Sequence, residues 1–205
     1  MLANELSAVI FDLDNTLVSS HLNFNEIRRL LACPSDIDLL DYLDSLPNAE
    51  QKAAKQLVID HEMADAHQAQ KLAGTDQLLT LLSRLEIPCA IVTRNCQQAA
   101  MMKIENNGID IPLLITREDH KAKPAPDALL YLAKYWNKSP QNILYVGDYL
   151  YDLQAAQNAN TMSCLVSYGE IVNYADLANV VVNDLTELSQ IIALKFNDKV
   201  NENCE

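Results

Sequence analysis

Short apolar runs recur along the chain, and most are followed by a longer stretch of helical periodicity. The runs are AVIFDL at 8–13, PCAIVT at 88–93, PLLIT at 112–116, NILYVGD at 142–148, MSCLVS at 162–167 and NVVVN at 179–183. Each is short, mostly apolar and rich in Val and Ile, the pattern of strands covered on both faces of a parallel sheet. Between them, apolar spacing predicts helices at about 76–86, 96–107, 126–137, 149–158 and 185–196. Strand–helix alternation of this kind builds βαβ units. The pattern predicts an α/β fold with a doubly wound parallel sheet.

Residues 21–73 break the alternation, because no strand-like run occurs there. FNEIRRLLA and DIDLLDYLDSL carry apolar residues at helical spacing. The stretch NAEQKAAKQLVIDHEMADAHQAQKLA, residues 48–73, reads as one long helix opened by a capping box of Asn48 and Gln51. The segment is therefore expected to form a small all-helical cap with a polar surface, inserted after the first strand. The catalytic core would then comprise 1–20 and 74–205. Within the cap, HEMAD at 61–65 lacks the second histidine of an HExxH zinc pattern and is expected to be a solvated helix face. In the core, Tyr131, Tyr135 and Trp136 lie at helical spacing and are expected to pack on the sheet. The polar tail NDKVNENCE is expected to fray.

Composition narrows the partners. The formal net charge is -13 and no Lys/Arg cluster occurs, which argues against a nucleic-acid partner. No apolar run has the length of a membrane span, and MLANELSAVIF lacks the basic start and apolar core of a signal peptide. The five cysteines, Cys33, Cys89, Cys96, Cys164 and Cys204, include no CxxC pair and are expected to be free thiols in a reducing cytoplasm. A monomer or weak homodimer is expected.

In an open parallel sheet, ligands bind beyond the carboxyl ends of the strands. The first run ends in DLDNT with Asp12, Asp14 and Thr16, and the second in TRN with Thr93, Arg94 and Asn95. The fourth ends in GDYLYD, with Asp148 and, one helical turn later, Asp152. Lys121 and Lys123 stand in HKAKPAPD, before a helix start. Several carboxylates at one edge repel each other unless a cation binds, and hard oxygen ligands suit Mg²⁺. Thr93, a helix-start N–H and a lysine can hold a phosphate. One Asp can then attack phosphorus while a second moves the proton.

These residues resemble the motifs of the haloacid dehalogenase superfamily, in its phosphoglycolate-phosphatase-like branch. DLDNT matches DxDxT, AIVTRN an apolar strand ending in Thr or Ser, KPAPD the lysine motif through Lys123, and GDYLYD matches GDxxxD. Each motif is weak alone; four in order are specific. The resemblance implies a Rossmann-like core with a small helical cap, and a Mg²⁺-dependent phosphatase that hydrolyses a small phosphate monoester, phosphoglycolate- or sugar-phosphate-like, through an aspartyl-phosphate intermediate. By it, Asp12 is the nucleophile, Asp14 the general acid/base, and Thr93 and Lys123 hold the phosphoryl group. The metal residues are Asp12, Asp14 (through its backbone carbonyl), Asp148 and Asp152 behind them. Two positions depart from the family pattern: Asn15 stands where Gly is usual, and Tyr149 where Ser is common. A phosphomutase of the same superfamily and a non-catalytic phosphate-binding protein are the alternatives. Asp14 argues against a dehalogenase, and the insertion argues against a receiver-type domain.

Arg94 and Asn95 are candidate substrate contacts, with a surface salt bridge as the alternative for Arg94. In the cap, HLNFNEIRR offers Arg28 and Arg29 as candidate contacts to an anionic or polyol substrate. Gly74 suits a hinge that would let the cap open and close.

Overall fold

In the computed structural model, which describes residues 6–202, six strands form one parallel sheet in the order β3-β2-β1-β4-β5-β6. They are β1 (Ala8–Phe11), β2 (Cys89–Val92), β3 (Leu114–Ile115), β4 (Ile143–Gly147), β5 (Met162–Val166) and β6 (Val180–Val182). Every apolar run of the sequence supplies one strand, each shorter than its run. Alternate residues of β1 serve different layers. Val9 and Phe11 pack with Leu78, Leu82 and Leu188 on one face; Ile10 packs with Leu129, Leu132 and Tyr145 on the other. Each of Val9, Ile10 and Phe11 is fully buried, stabilising the fold by roughly 1.5–3 kcal/mol per side chain.

The helices that cover these faces are α4 (Thr75–Arg84), α5 (Gln97–Asn106), α6 (Asp127–Tyr135), α7 (Leu150–Ala159) and α8 (Leu185–Glu202), which follow α1 (Phe24–Leu31), α2 (Leu39–Ser45) and α3 (Asn48–Ala66) in the chain. Strand order reverses between β1 and β4, so a crevice opens at their carboxyl ends.

α1, α2 and α3 lie between β1 and α4 and share a cluster of Ile27, Cys33, Leu39, Leu43, Ala54 and Val58. Asn23 caps α1 through Glu26 N–H at 3.0 Å, and Asp38 caps α2 through Leu40 N–H at 2.9 Å. The chain leaves and re-enters the core through two adjacent segments, tied by Ser19 N–H to Gln70 O at 2.8 Å and Leu72 N–H to Leu17 O at 3.0 Å.

Several details differ from the sequence reading. α3 ends at Ala66, because residues 70–72 are drawn back along the outgoing segment at 17–19. Its N-cap is Pro47, not Asn48; the Gln51 amide donates to Asp44 O at 2.9 Å and Leu46 O at 3.1 Å instead of closing a capping box. α3 also packs on α5 through Ala66, Cys96 and Ala99, flanked by Ile59, Met63 and Met102. Tyr131 and Tyr135 face outward at 47% and 61% exposure, since Ala128, Leu129, Leu132 and Ala133 fill the inner face of α6; Trp136 alone of the three packs against that core. α8 runs on to Glu202, through most of the expected frayed tail, and the rest of that tail, with Cys204, lies outside the described residues. Gly74 has φ +85°, and a Cβ there would collide with the backbone of Leu185 and Thr186. Close packing of α4 on α8 explains this glycine without a hinge. The four cysteines among the described residues are free thiols, and no described helix is long and apolar enough to cross a membrane.

Candidate active site

Asp12, Thr93 and Asp148 each stand just past the end of a strand, and the sheet's own hydrogen bonding fixes the backbone of the first two. Asp12 N–H donates to Val146 O at 2.8 Å, and Thr93 N–H to Ile115 O at 3.0 Å, each extending the ladder by one residue. Asn15 then turns the chain at φ 52°. Its carboxamide oxygen accepts Ser20 N–H at 3.0 Å, so asparagine serves the turn where the motif usually has glycine.

Lys123 is the hub of the first group. Its ammonium is 2.6 Å from Asp12 Oδ1 and 2.7 Å from Asp152 Oδ1. Lys121, by contrast, is exposed. Asp152 is almost wholly buried in the first turn of α7; its Oδ2 accepts Tyr149 N–H at 3.0 Å, and its Oδ1 lies 3.1 Å from the Tyr145 hydroxyl. Both Asp152 oxygens are thus engaged, which suits it to hold Lys123. Tyr149 itself is half exposed, edge-on to Tyr151 and Tyr174, and forms the rim beside Asp148.

Asp12, Asp148 and Asp152 each bring a carboxylate oxygen within 4.8 Å of the others. Burial pushes Asp12 up to about 7 despite Lys123, and Asp148 up to about 8, with Asp152 and Asp12 adding repulsion. Burial also works against the Lys123 ammonium, but Asp12 and Asp152 outweigh it and hold its pKa above the usual lysine value. One lysine among three carboxylates leaves a deficit of positive charge. The donors are all hard oxygens on two partly exposed acids and a buried one, which fits a divalent cation of the Mg²⁺ kind.

Asp14 points elsewhere. Its Oδ1 is 2.5 Å from Lys103 Nζ and its Oδ2 accepts from Asn95 Nδ2 at 2.8 Å, so its carboxylate does not join the other three. As a metal ligand, only its backbone carbonyl is left to consider. Burial raises the Asp14 pKa, and Lys103 and Asn95 oppose that. Asn95 Nδ2 also donates to Thr93 Oγ1 at 3.0 Å, leaving the Thr93 hydroxyl proton for an incoming oxygen. Asn95 Oδ1 is buried with no partner among the described residues, an acceptor available to a hydroxyl.

The remaining candidates are committed elsewhere. Arg94 Nη2 binds both Asp38 oxygens at 2.7 and 2.9 Å, its Nη1 donates to Lys123 O, and its guanidinium stacks 4.7 Å over Tyr151. It ties the loop after β2 to the start of α2 and is the salt bridge weighed above, though more enclosed than a surface pair. Arg28 is not brought to the site: its Nη1 donates to Pro34 O at 2.8 Å and Ile37 O at 2.7 Å, fastening the loop after α1. Arg29 is exposed and pairs with Glu26 on its own helix.

HEMAD is not a solvated face. Glu62 is 4% and Asp65 7% exposed. Glu62 takes Arg117 in a two-pronged pair at 2.5 and 2.9 Å, and Asp65 Oδ2 lies 2.7 Å from Lys103 Nζ. Burial disfavours the Asp65 charge, but Lys103, His21 N–H and Ser20 together hold its pKa below the usual value. Lys103, Asp65, Glu62, Arg117, Asp38 and Tyr145 were all missed from sequence. The available signal was position: Lys103 shares a helical stripe with the buried Ala99 and Ala100.

Residues 9–166 match the family described as haloacid dehalogenase-like hydrolase. A haloacid dehalogenase-like hydrolase domain-containing protein of Arabidopsis thaliana is 28% identical over 78% of this chain and 71% of its own. An N-acetylmuramic acid 6-phosphate phosphatase of Pseudomonas putida is 26% identical over 91% of this chain and 96% of its own. Among solved structures, a hydrolase from Pseudomonas syringae superposes with a TM-score of 0.78 at 22% identity, covering 91% of this chain and 98% of that one.

Proposed function

The chain belongs to the haloacid dehalogenase-like hydrolases, and from that premise we propose that it is a Mg²⁺-dependent phosphatase of a small, sugar-phosphate-like monoester. The observation that carries this reading is the separation of the DxD pair: Asp12 lies with Asp148 and Lys123, while Asp14 is held apart by Lys103 and Asn95. Two carboxylates two residues apart thus face different partners, as a nucleophile and a proton carrier must.

In this scheme an Asp12 carboxylate oxygen attacks phosphorus in line. The P–O bond to the leaving group breaks as the aspartyl-phosphate bond forms. Asp14 gives its proton to the leaving oxygen, then takes one from the water that hydrolyses the aspartyl phosphate. Thr93 donates to a phosphoryl oxygen, and Lys123, oriented by Asp152, neutralises charge beside the nucleophile. Asp12, Asp148 and the Asp14 carbonyl would hold Mg²⁺, which supplies the charge neutralisation that lets an anionic phosphate approach a carboxylate. The relative named for N-acetylmuramic acid 6-phosphate supports a sugar phosphate as the substrate class. With Arg28 and Arg29 both paired to residues of their own segment, neither arginine supports recognition of a second anionic group on the substrate. A cytoplasmic enzyme suits the four free thiols among the described residues.

A panel of phosphate monoesters assayed for released phosphate tests this reading. Release should require Mg²⁺ and stop with chelator. No release from any monoester, or full release in excess chelator, would overturn it.

A further inference from the structure

Asp14 and Asp65 meet on Lys103, which joins the candidate acid/base to the cap. Lys103 has no exposed surface, and its ammonium touches Asp14 Oδ1 at 2.5 Å and Asp65 Oδ2 at 2.7 Å. Asp65 lies in the last turn of α3 and also accepts from Ser20 Oγ at 2.8 Å and His21 N–H at 2.6 Å, on the segment leading into the cap. Lys103 itself comes from α5, the helix that follows the Thr93 loop.

A buried ammonium is costly to desolvate, and an apolar side chain of similar length would fill the same space without that cost. Such a side chain could not hold Asp14. With Asn95 on the other oxygen, the Asp14 carboxylate is gripped at both ends, and neither grip comes from its own loop. Asp12 has its own lysine, so the two acids are positioned independently.

We propose that Lys103 is a positioning residue that places the Asp14 carboxylate for proton transfer, and that Asp65 ties this placement to the seating of cap helix α3. The proposal rests on the phosphatase reading. Lys103 touches no reacting atom, so its influence runs through Asp14. Leaving groups that need a proton should therefore depend on it, and those that leave as stable anions should not.

The test compares kcat/KM on the best alkyl phosphate of the panel and on p-nitrophenyl phosphate, for wild type, Lys103→Met and Asp65→Asn, with thermal unfolding of each. Lys103→Met should lose roughly 10²-fold or more in kcat/KM on the alkyl substrate and less than about tenfold on the aryl one, while kcat and KM for the aryl phosphate fall together as the phosphoenzyme accumulates. Asp65→Asn should show a smaller loss with the same selectivity. Equal losses on both substrates, or none, overturn the proposal and leave Lys103 a structural ion. If Lys103→Met does not fold, Asp65→Asn decides by the same criterion. A wild type inactive on every monoester would instead overturn the phosphatase reading, and this proposal with it.

Discussion

The Asp152 carboxylate occupies the space that a side chain on Gly147 would need; a Cβ there would collide with it. This gives the glycine of GDxxxD a physical reason. β4 must end without a side chain so that the first turn of α7 can fold its acid back against the strand and hold Lys123. Gly147→Ala should therefore displace Asp152 and loosen Lys123 beside Asp12. Activity should fall on the order of 10²-fold, since misplacement by about 1 Å has that effect, while the far-ultraviolet circular dichroism stays native. Near wild-type turnover would show that Asp152 does not orient Lys123.

The carboxylate cluster also predicts how stability follows pH. Asp12 and Asp148 are raised from 3.8 to about 7 and about 8. Between those limits the folded chain binds more protons than the unfolded one, so stability falls as pH rises through the window. Metal-free protein should lose thermal stability from about pH 5 to about pH 8, with Mg²⁺ restoring more at the upper end. Asp38 and Asp65 are shifted the other way, their partners outweighing burial; the stability they add is fully present above 3.8 and is lost only as pH falls below it. A melting temperature independent of pH and Mg²⁺ across this range would contradict the cluster's proposed role.

Arg117 and Glu62 pin α3 to the core with side-chain exposures of 14% and 5%. Arg117→Met leaves Glu62 buried without its cation and should lower unfolding free energy by about 3–5 kcal/mol, measured in urea. A change within about 0.5 kcal/mol, typical of surface positions, would mean that water replaces the pair freely.

The two arginines of α1 make the opposite case. Arg29→Ala removes an exposed pair with Glu26 and should change neither melting temperature nor kcat/KM measurably. Arg28→Ala frees the carbonyls of Pro34 and Ile37 and should lower stability without changing substrate preference. A selective rise in KM for one phosphate ester in either variant would return that arginine to the substrate.

The sheet was legible because strands covered on both faces are written as unbroken apolar runs, so Val9, Ile10 and Phe11 announced β1 directly. Asp12, Thr93, Lys123 and Asp148 were legible through their motifs. What stayed hidden was the charge inside helices. A lysine in a helix reads as solvent-facing, and Lys103 is given away only by the alanines that share its stripe. Glu62 and Asp65 read as a wet face because their partners, Arg117 and Lys103, lie far away in sequence. Tyr131 and Tyr135 misled in the other direction, since Leu129 and Leu132 already fill the inner face of α6.

The most direct test of the account is covalent. Asp14→Asn, mixed with an aryl phosphate and Mg²⁺, should form the phosphoenzyme without needing a proton donor and hydrolyse it slowly. After acid quench, peptide mass spectrometry should place one phosphoryl group on Asp12. Released phosphate from a variant that never carries a phosphoryl group, or one carried on another residue, would contradict Asp12 as the nucleophile.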